Sequence, residues 1–311
     1  MVHSEQSLKP RIVHRNTSKS KGTQDTDSAK KDDVPKSRRW KVLLFVPALV
    51  CLLAVYLLSR RSGEEIFVGA RDTVTKAVLE VPCSHDYDNE EFHACKPKRC
   101  ARVVMDNLVA DDDAKHLLGV AQKCLALGGS SGGASILDLH SGALSMGNSF
   151  VNIYRLMKSS KLRLLEEKDF KIYKKVKDQI HDAIAAEFEI PKNSLYLTKP
   201  TFFSRMNTKL PKTVHDEYWH PHVDKKTYGS FHYTSLLYLT TYGEDFTGGR
   251  FIFQDTDGNK TVEPKLGRLS FFTSGSENIH FVERLKDGVR YAITVSFTCD
   301  PSQAVPDPDS K

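Results

Sequence analysis

The chain is predicted to be α+β: a jelly-roll or barrel of short strands, with two amphipathic helices ahead of it. Three observations predict this. From residue 195 onward short apolar runs follow one another, at 196–206, 218–224, 232–241, 250–254, 269–273, 278–282 and 289–299. Turn signals separate them, at Tyr228-Gly229, Gly248-Gly249, Asp255-Thr-Asp-Gly258 and Lys286-Asp-Gly288, as in sandwiches and barrels. Before them, two stretches carry apolar residues at helical spacing and would cover one face of a sheet.

Residues 1–41 are Ser, Thr, Lys and Asp with almost no aromatic or β-branched residue. Such a segment buries too little apolar surface to offset its ordering entropy and is expected to be a disordered cytosolic tail. It holds eleven Lys/Arg against five Asp/Glu, which accounts for the whole net charge of +6. The remainder is neutral, so no nucleic-acid partner is expected.

Residues 42–58 contain no charge. At ~1.5 Å per residue the run reaches roughly 25 Å as a helix, enough for a thin bilayer. Trp40 and Tyr56 sit at its ends, and Lys36, Arg38, Arg39, Lys41, Arg60 and Arg61 bracket it. Basic residues are denser before the run, which predicts a single-pass type II signal-anchor with residues 62–311 in the lumen of the endoplasmic reticulum or Golgi. A secretory signal peptide would start nearer residue 1.

Residues 59–101 read as a lumenal stalk ending in a cluster of Cys83, His85, His93, Cys95 and Cys100. A zinc site is one reading. Disulfides suit an oxidising lumen better, with one of the cysteines 83, 95, 100, 124 and 299 left over. Residues 102–194 read as a helical support region. It opens with a strand at 102–106, and Asp111, Asp112 and Asp113 offer a helix cap and a negative first turn. Leu117, Leu118, Ala121, Cys124 and Leu125 then recur at helical spacing. The Ser- and Gly-rich stretch 130–147 is expected to be a mobile loop, and 168–188 a second helix. Residues 195–300 form the strand-rich core, and 301–311 a disordered tail.

The candidate chemistry begins at Trp219-His-Pro-His-Val-Asp224. Two histidines and one carboxylate on one face of a metal leave positions open for O2 and a bidentate co-substrate, the arrangement of non-haem Fe(II) oxygenases. Residues i and i+2 of a strand share a face, so His222 and Asp224 can both point inward. With 12 histidines and 24 aspartates in the chain, about one His-x-Asp is expected by chance. Context adds the weight. Beyond His222 only His232 and His280 remain. His232 is too near in sequence to come from a distant strand, which leaves His280 as third ligand. Ten residues later, Arg290 opens the returning strand, and its planar fork suits the distal carboxylate of 2-oxoglutarate. The alternative is that His280 and Arg290 are surface hairpin residues. Tyr238 is a further co-substrate candidate or a core tyrosine. His220 is a partner of the metal ligands or a residue at the barrel mouth. Asn259-Lys-Thr261, beside a turn, is a glycosylation acceptor pattern.

From about Arg102 to Phe297 the chain resembles the prolyl 4-hydroxylase-like family of 2-oxoglutarate- and Fe(II)-dependent oxygenases. The residues that carry the resemblance are His222-Val-Asp224, Leu-Leu-Tyr238-Leu-Thr, Thr-Gly-Gly249-Arg-Phe, Leu-Ser-Phe-Phe272 and Arg290-Tyr-Ala-Ile-Thr-Val295. The resemblance implies a double-stranded β-helix with N-terminal support helices. It implies iron on His222, Asp224 and His280, 2-oxoglutarate on Arg290 and Tyr238, and ascorbate as the reductant. It also implies a protein or peptide substrate, with a prolyl or lysyl side chain hydroxylated. One departure stands out: where members often carry a tyrosine on the strand ahead of His-x-Asp, this chain has Phe-Phe-Ser-Arg205-Met-Asn. The competing expectations are a catalytically silent jelly-roll acting as a membrane-tethered binding module, and a zinc protein built on the cysteine cluster.

Overall fold

The computed structural model describes residues 49–53, 64–213 and 216–308. The expected tail 1–41 and most of the expected membrane helix 42–58 lie outside the described residues. Residues 49–53 are helical and exposed. Among the described residues no helix is long and apolar enough to cross a membrane.

In chain order the body from residue 64 begins with β1 (Glu65–Val68), β2 (Ala77–Val81), β3 (Cys100–Met105) and α1 (Asp111–Leu125). Next come β4 (Gly129–Ser130), β5 (Ala134–Leu137), β6 (Ala143–Gly147), β7 (Ser149–Asn152), α2 (Ile153–Ser159) and α3 (Glu167–Glu187). The strand-rich part follows with β8 (Tyr196–Met206), α4 (Asp224–Tyr228), β9 (Tyr233–Tyr238), β10 (Phe246–Gly248), β11 (Phe251–Phe253) and β12 (Lys260–Val262). It ends with β13 (Leu269–Thr273), β14 (His280–Val282), β15 (Leu285–Gly288) and β16 (Arg290–Thr298).

The larger sheet runs β2-β3-β13-β9-β16-β8-β5-β6-β4, with β7 beside β6, and a smaller sheet runs β1-β12-β11-β14. Period-two alternation divides the side chains of the large sheet between two cores. Leu237, Phe271, Ile293, Val295 and Phe297 face α1 and α3. Their neighbours Leu236, Tyr238, Phe272 and Ala292 pack against Phe251, Phe253, Val262 and Val282 of the small sheet. The result is a two-sheet sandwich of jelly-roll type with helices on its outer face.

The helices form where the apolar spacing predicts, and α3 opens with a capping box between Glu166 and Asp169. The three aspartates at 111–113 are not the cap of α1. The cap position is Ala110, without a side-chain bond, and the aspartates occupy the first turn, where the helix dipole favours them. At the end of β10, in Thr247-Gly-Gly249, a Cβ on Gly248 (φ +67°) would collide with the Arg284 carbonyl, so glycine is required there.

Several expectations are corrected. The stalk is not one from residue 64 on: β1 pairs in parallel with β12, and β2 pairs with β3 of the large sheet. The stretch 130–147 is not a loop. It supplies β4, β5 and β6, whose strands are too short and Ser-rich to show an apolar alternation. The support region is therefore strand as well as helix. Residues 301–308 are not a free tail: Val305 N donates to Leu197 O at 2.9 Å, and Asp307 pairs with Lys174 and Lys177. The cysteine cluster forms disulfides Cys83–Cys100 and Cys95–Cys299, which leaves Cys124 as the unpaired one of the cysteines 83, 95, 100, 124 and 299, buried in α1.

Candidate metal centre

His222, Asp224 and His280 each offer a ligand atom, and these atoms lie within 4.8 Å of one another. The way they meet differs from the expected strand. Residues 218–221 are turn, His222 makes an isolated antiparallel bridge with His280, and Asp224 is the first residue of α4. Val223 between them is extended (φ −119°, ψ 122°), which puts His222 and Asp224 on the same side.

His222 Nδ1–H donates to the His220 carbonyl at 3.0 Å, and His280 Nδ1–H to the Asn278 carbonyl at 2.9 Å. A carbonyl only accepts, so in the neutral rings both Nε2 atoms carry the lone pair a metal needs. These nitrogens stand 3.5 and 3.6 Å from the Asp224 carboxylate oxygens. Thr234 Oγ1 donates to Asp224 Oδ2 at 2.7 Å and fixes the carboxylate plane. Burial alone would raise the Asp224 carboxyl, but the two histidines and the Thr234 bond take it below its usual range. Burial depresses the pKa of His280 and keeps it neutral. Burial acts the same way on His222, but the adjacent Asp224 carboxylate outweighs it and raises that ring's pKa. Two Nε2 donors and an anionic oxygen, with Asp224 and His280 buried and His222 partly exposed, fit a divalent cation of Fe(II) type.

The triad lines a cavity of about 390 Å³ shared with Met206, Tyr218, Leu236, Phe251 and Arg290. Arg290 is 1 % exposed, and its Nε and Nη2 have no hydrogen-bond partner among the described residues. Its nearest polar contact is the Met206 sulfur, 3.7 Å from Nη1. A buried, unpaired guanidinium is costly, and an anion completes it. Tyr238 lies behind the guanidinium, its ring 5.4 Å away, and is part of the apolar core rather than of the cavity wall. Burial pushes its phenol up to about 12. The cavity-lining part of β8 carries Phe202, Ser204 and Met206, and its one tyrosine, Tyr196, starts the strand outside the cavity; Tyr218 lines the cavity instead.

His220 reaches the mouth of the cavity, paired with Glu217 at 2.6 Å. Its backbone, not its ring, orients His222. Asn259 is partly exposed in the turn before β12, outside this cavity. Sequence reasoning missed Thr234, Tyr218 and Arg102. The alternation along β9 marks Thr234 as sharing a face with Leu236. Tyr218 and Arg102 meet the site only through the fold.

Residues 208–298 match the family described as the 2OG-Fe(II) oxygenase superfamily. The chain is similar to 2-oxoglutarate and iron-dependent oxygenase domain-containing protein 3 of Xenopus tropicalis, 51% identical over 287 residues, covering 88% of this chain and 90% of that protein. It is similar to human prolyl 3-hydroxylase 2 over a shorter span, 42% identical over 72 residues, 22% of this chain and 10% of that protein. Among solved structures, a prolyl hydroxylase from Trichoplax adhaerens in complex with a hypoxia inducible factor peptide aligns with a TM-score of 0.44. That alignment is 15% identical over 65% of this chain and 85% of that one.

Proposed function

We propose that this chain, which belongs to the 2-oxoglutarate- and Fe(II)-dependent oxygenases, hydroxylates a protein side chain in the lumen of the secretory pathway. Dioxygenase chemistry comes with the family. Iron held there would supply O2 activation, with 2-oxoglutarate oxidised to succinate and CO2 and a substrate C–H bond hydroxylated. The chain's own residues do the rest. His222, Asp224 and His280 hold the metal on one side and leave the cavity side open. Arg290 takes the distal carboxylate of 2-oxoglutarate, and Leu236, Phe251 and Val282 exclude water from the reacting centre.

The observation that carries this reading is the unpartnered guanidinium of Arg290 on the wall of the triad's cavity. Tyr238 supports that guanidinium from behind. A peptide substrate is favoured by a second hollow of about 270 Å³ that shares Ala134, Ile136, Phe202 and Tyr228 with the first. It carries the metal cavity outward toward the exposed Phe150. A prolyl or lysyl side chain is the target class, with ascorbate as the reductant. The lumenal setting draws support from the two disulfides, the Asn259 acceptor pattern and the charge-flanked apolar run at 42–58.

The test is succinate formation by the full-length chain with Fe(II), 2-oxoglutarate, ascorbate and candidate peptides, alongside mass spectrometry of hydroxylated peptides from cells with and without the protein. Equal 2-oxoglutarate turnover by wild type and His222→Ala rejects the enzyme reading and leaves the tethered binding module. For topology, the expected result is a glycosidase-sensitive mass at Asn259 and protease protection in sealed microsomes. Digestion of the C-terminal body there reverses the orientation.

A further inference from the structure

The metal centre is built on two separate segments, 222–225 and 274–280, and residues 83–102 reach both. We propose that residues 83–102 are a positioning element for the metal centre, clipped to the body by two disulfides, with Tyr87 and Glu90 as its positioning residues. This rests on the reading of His222, Asp224 and His280 as metal ligands.

On the His280 side, Tyr87 is buried, accepts a hydrogen bond from Gly275 N at 2.7 Å and donates to Glu277 Oε1 at 3.0 Å. A Cβ on Gly275 would lie 2.7 Å from the Tyr87 hydroxyl, so the loop is shaped to receive the phenol. Asp86 Oδ2 accepts from Ser276 N at 2.6 Å. Arg102 donates to Asn278 Oδ1 at 2.7 Å and to Glu277 O at 3.0 Å. Asn278 is the residue whose carbonyl orients His280. The loop that sets the tautomer and aim of His280 is thus held by side chains from 86 to 102.

On the Asp224 side, Glu90 Oε2 lies 2.7 Å from Lys225 Nζ and 3.0 Å from His232 Nε2. Lys225 follows Asp224 directly, and its backbone N donates to Ser274 O at 2.9 Å. The Glu90 carboxylate, on a side chain 7% exposed, therefore ties the first turn of α4 to His232, whose carbonyl accepts from Ser274 N at 3.0 Å at the start of the His280 loop. The Lys225 ammonium also sits 5.4 Å over the Tyr87 ring, which joins the two sides.

Disulfides alone would suffice to hold a peripheral hairpin. What they hold here is a set of polar side chains that reach the backbone of the His280 loop and the side chain of Lys225, next to Asp224. Cys83–Cys100 closes the element on itself, and Cys95–Cys299 ties it to the end of β16. The geometry of the centre then depends on the oxidised state of this element.

The experiment titrates Co(II) into the full-length chain and follows its ligand-field absorption, for wild type, Tyr87→Phe and Glu90→Gln. Near-UV circular dichroism of each metal-free protein reports the fold. Loss of a partner behind the ligands typically weakens metal binding by about 10-fold or more. The expected result is that loss, with an altered absorption envelope, in a variant whose metal-free spectrum matches wild type. A variant that keeps the wild-type spectrum and binds Co(II) within about twofold of wild type overturns the proposal. If neither variant keeps the metal-free fold, the element is a folding brace only and the proposal falls. Wild type that binds no Co(II) removes the metal-centre reading and this inference with it.

Discussion

His222 and His280 exchange backbone hydrogen bonds: each N–H donates to the other's carbonyl, both at 3.0 Å. The bridge brings together residues from two distant stretches of chain and sets their rings 4.4 Å apart. The metal centre is therefore held by main chain as well as by side chains. Single truncation of a ligand should spare the fold while removing the donor. His222→Ala, Asp224→Ala or His280→Ala is expected to lower Fe(II)-dependent succinate formation by at least ~100-fold, with melting temperature changed little. Anaerobic metal titration beside the turnover assay checks this.

Arg290 should show opposite effects on stability and on co-substrate binding. Its guanidinium is buried and lowered in pKa by that burial, with Tyr238 and Tyr218 opposing the shift. Arg290→Met removes an unpaired buried charge, so the metal-free protein should melt at or above the wild-type temperature. Wild type with Mn(II) should gain about 2.7 kcal/mol at a 2-oxoglutarate concentration 100 times its Kd, and the variant should gain nothing. Thermal shift with and without 2-oxoglutarate decides it. A wild-type-sized shift in Arg290→Met assigns the co-substrate elsewhere.

Thr234 donates to Asp224 at 2.7 Å and lies 2.8 Å from the Ser274 hydroxyl. Thr234→Val keeps the shape and removes both bonds. It is expected to cost about 1 kcal/mol of stability and to weaken metal binding about 10-fold. Unchanged Co(II) affinity would show that the carboxylate needs no such support.

The two disulfides should contribute unequally. They close loops of sequence separation 17 and 204. In the chain-entropy account the longer loop stabilises by about 2 kcal/mol more. Paired Cys95→Ala/Cys299→Ala should therefore unfold at markedly lower denaturant than paired Cys83→Ala/Cys100→Ala. The reverse order would mean that residual structure in the unfolded chain dominates.

Acid should destabilise the fold from near neutrality. Burial lowers the pKa of His140, although its bond to the Pro306 carbonyl and the Asp138 and Asp307 carboxylates oppose this. Its Nδ1–H donates to that carbonyl at 2.8 Å, so Nε2 accepts from Tyr173 at 2.9 Å, and protonation breaks the second bond. A depressed folded pKa gives stability that is present above the unfolded value and lost as pH falls toward the folded one. The loss should begin near about pH 6.5, the ordinary histidine value. Denaturant unfolding at pH 7.5, 6.5 and 5.5 should give a shallower fall for His140→Asn than for wild type.

The long elements were legible because their patterns are local. The Tyr196–Met206 and Leu269–Thr273 strands have the predicted bounds, and α3 differs by one residue at each end. Stretches 64–101 and 130–147 were not legible. Their strands are two to five residues long, and β1 and β5 are placed by distant partners in β12 and β8, so no period shows in the sequence.

The sequence by itself determined the chemistry on offer: two histidines and an aspartate at workable positions, one arginine beyond them, and a family likeness spanning them. Tertiary structure decided how those groups are used. It showed that His222 and Asp224 share a face through one extended residue rather than through a strand, and that Arg290 is buried without a partner. It also showed that the cysteine segment packs behind the ligands. The physical reason is range. Residue type and helical period are local properties written in the chain, whereas burial, tautomer and hydrogen-bond pairing depend on groups up to two hundred residues away.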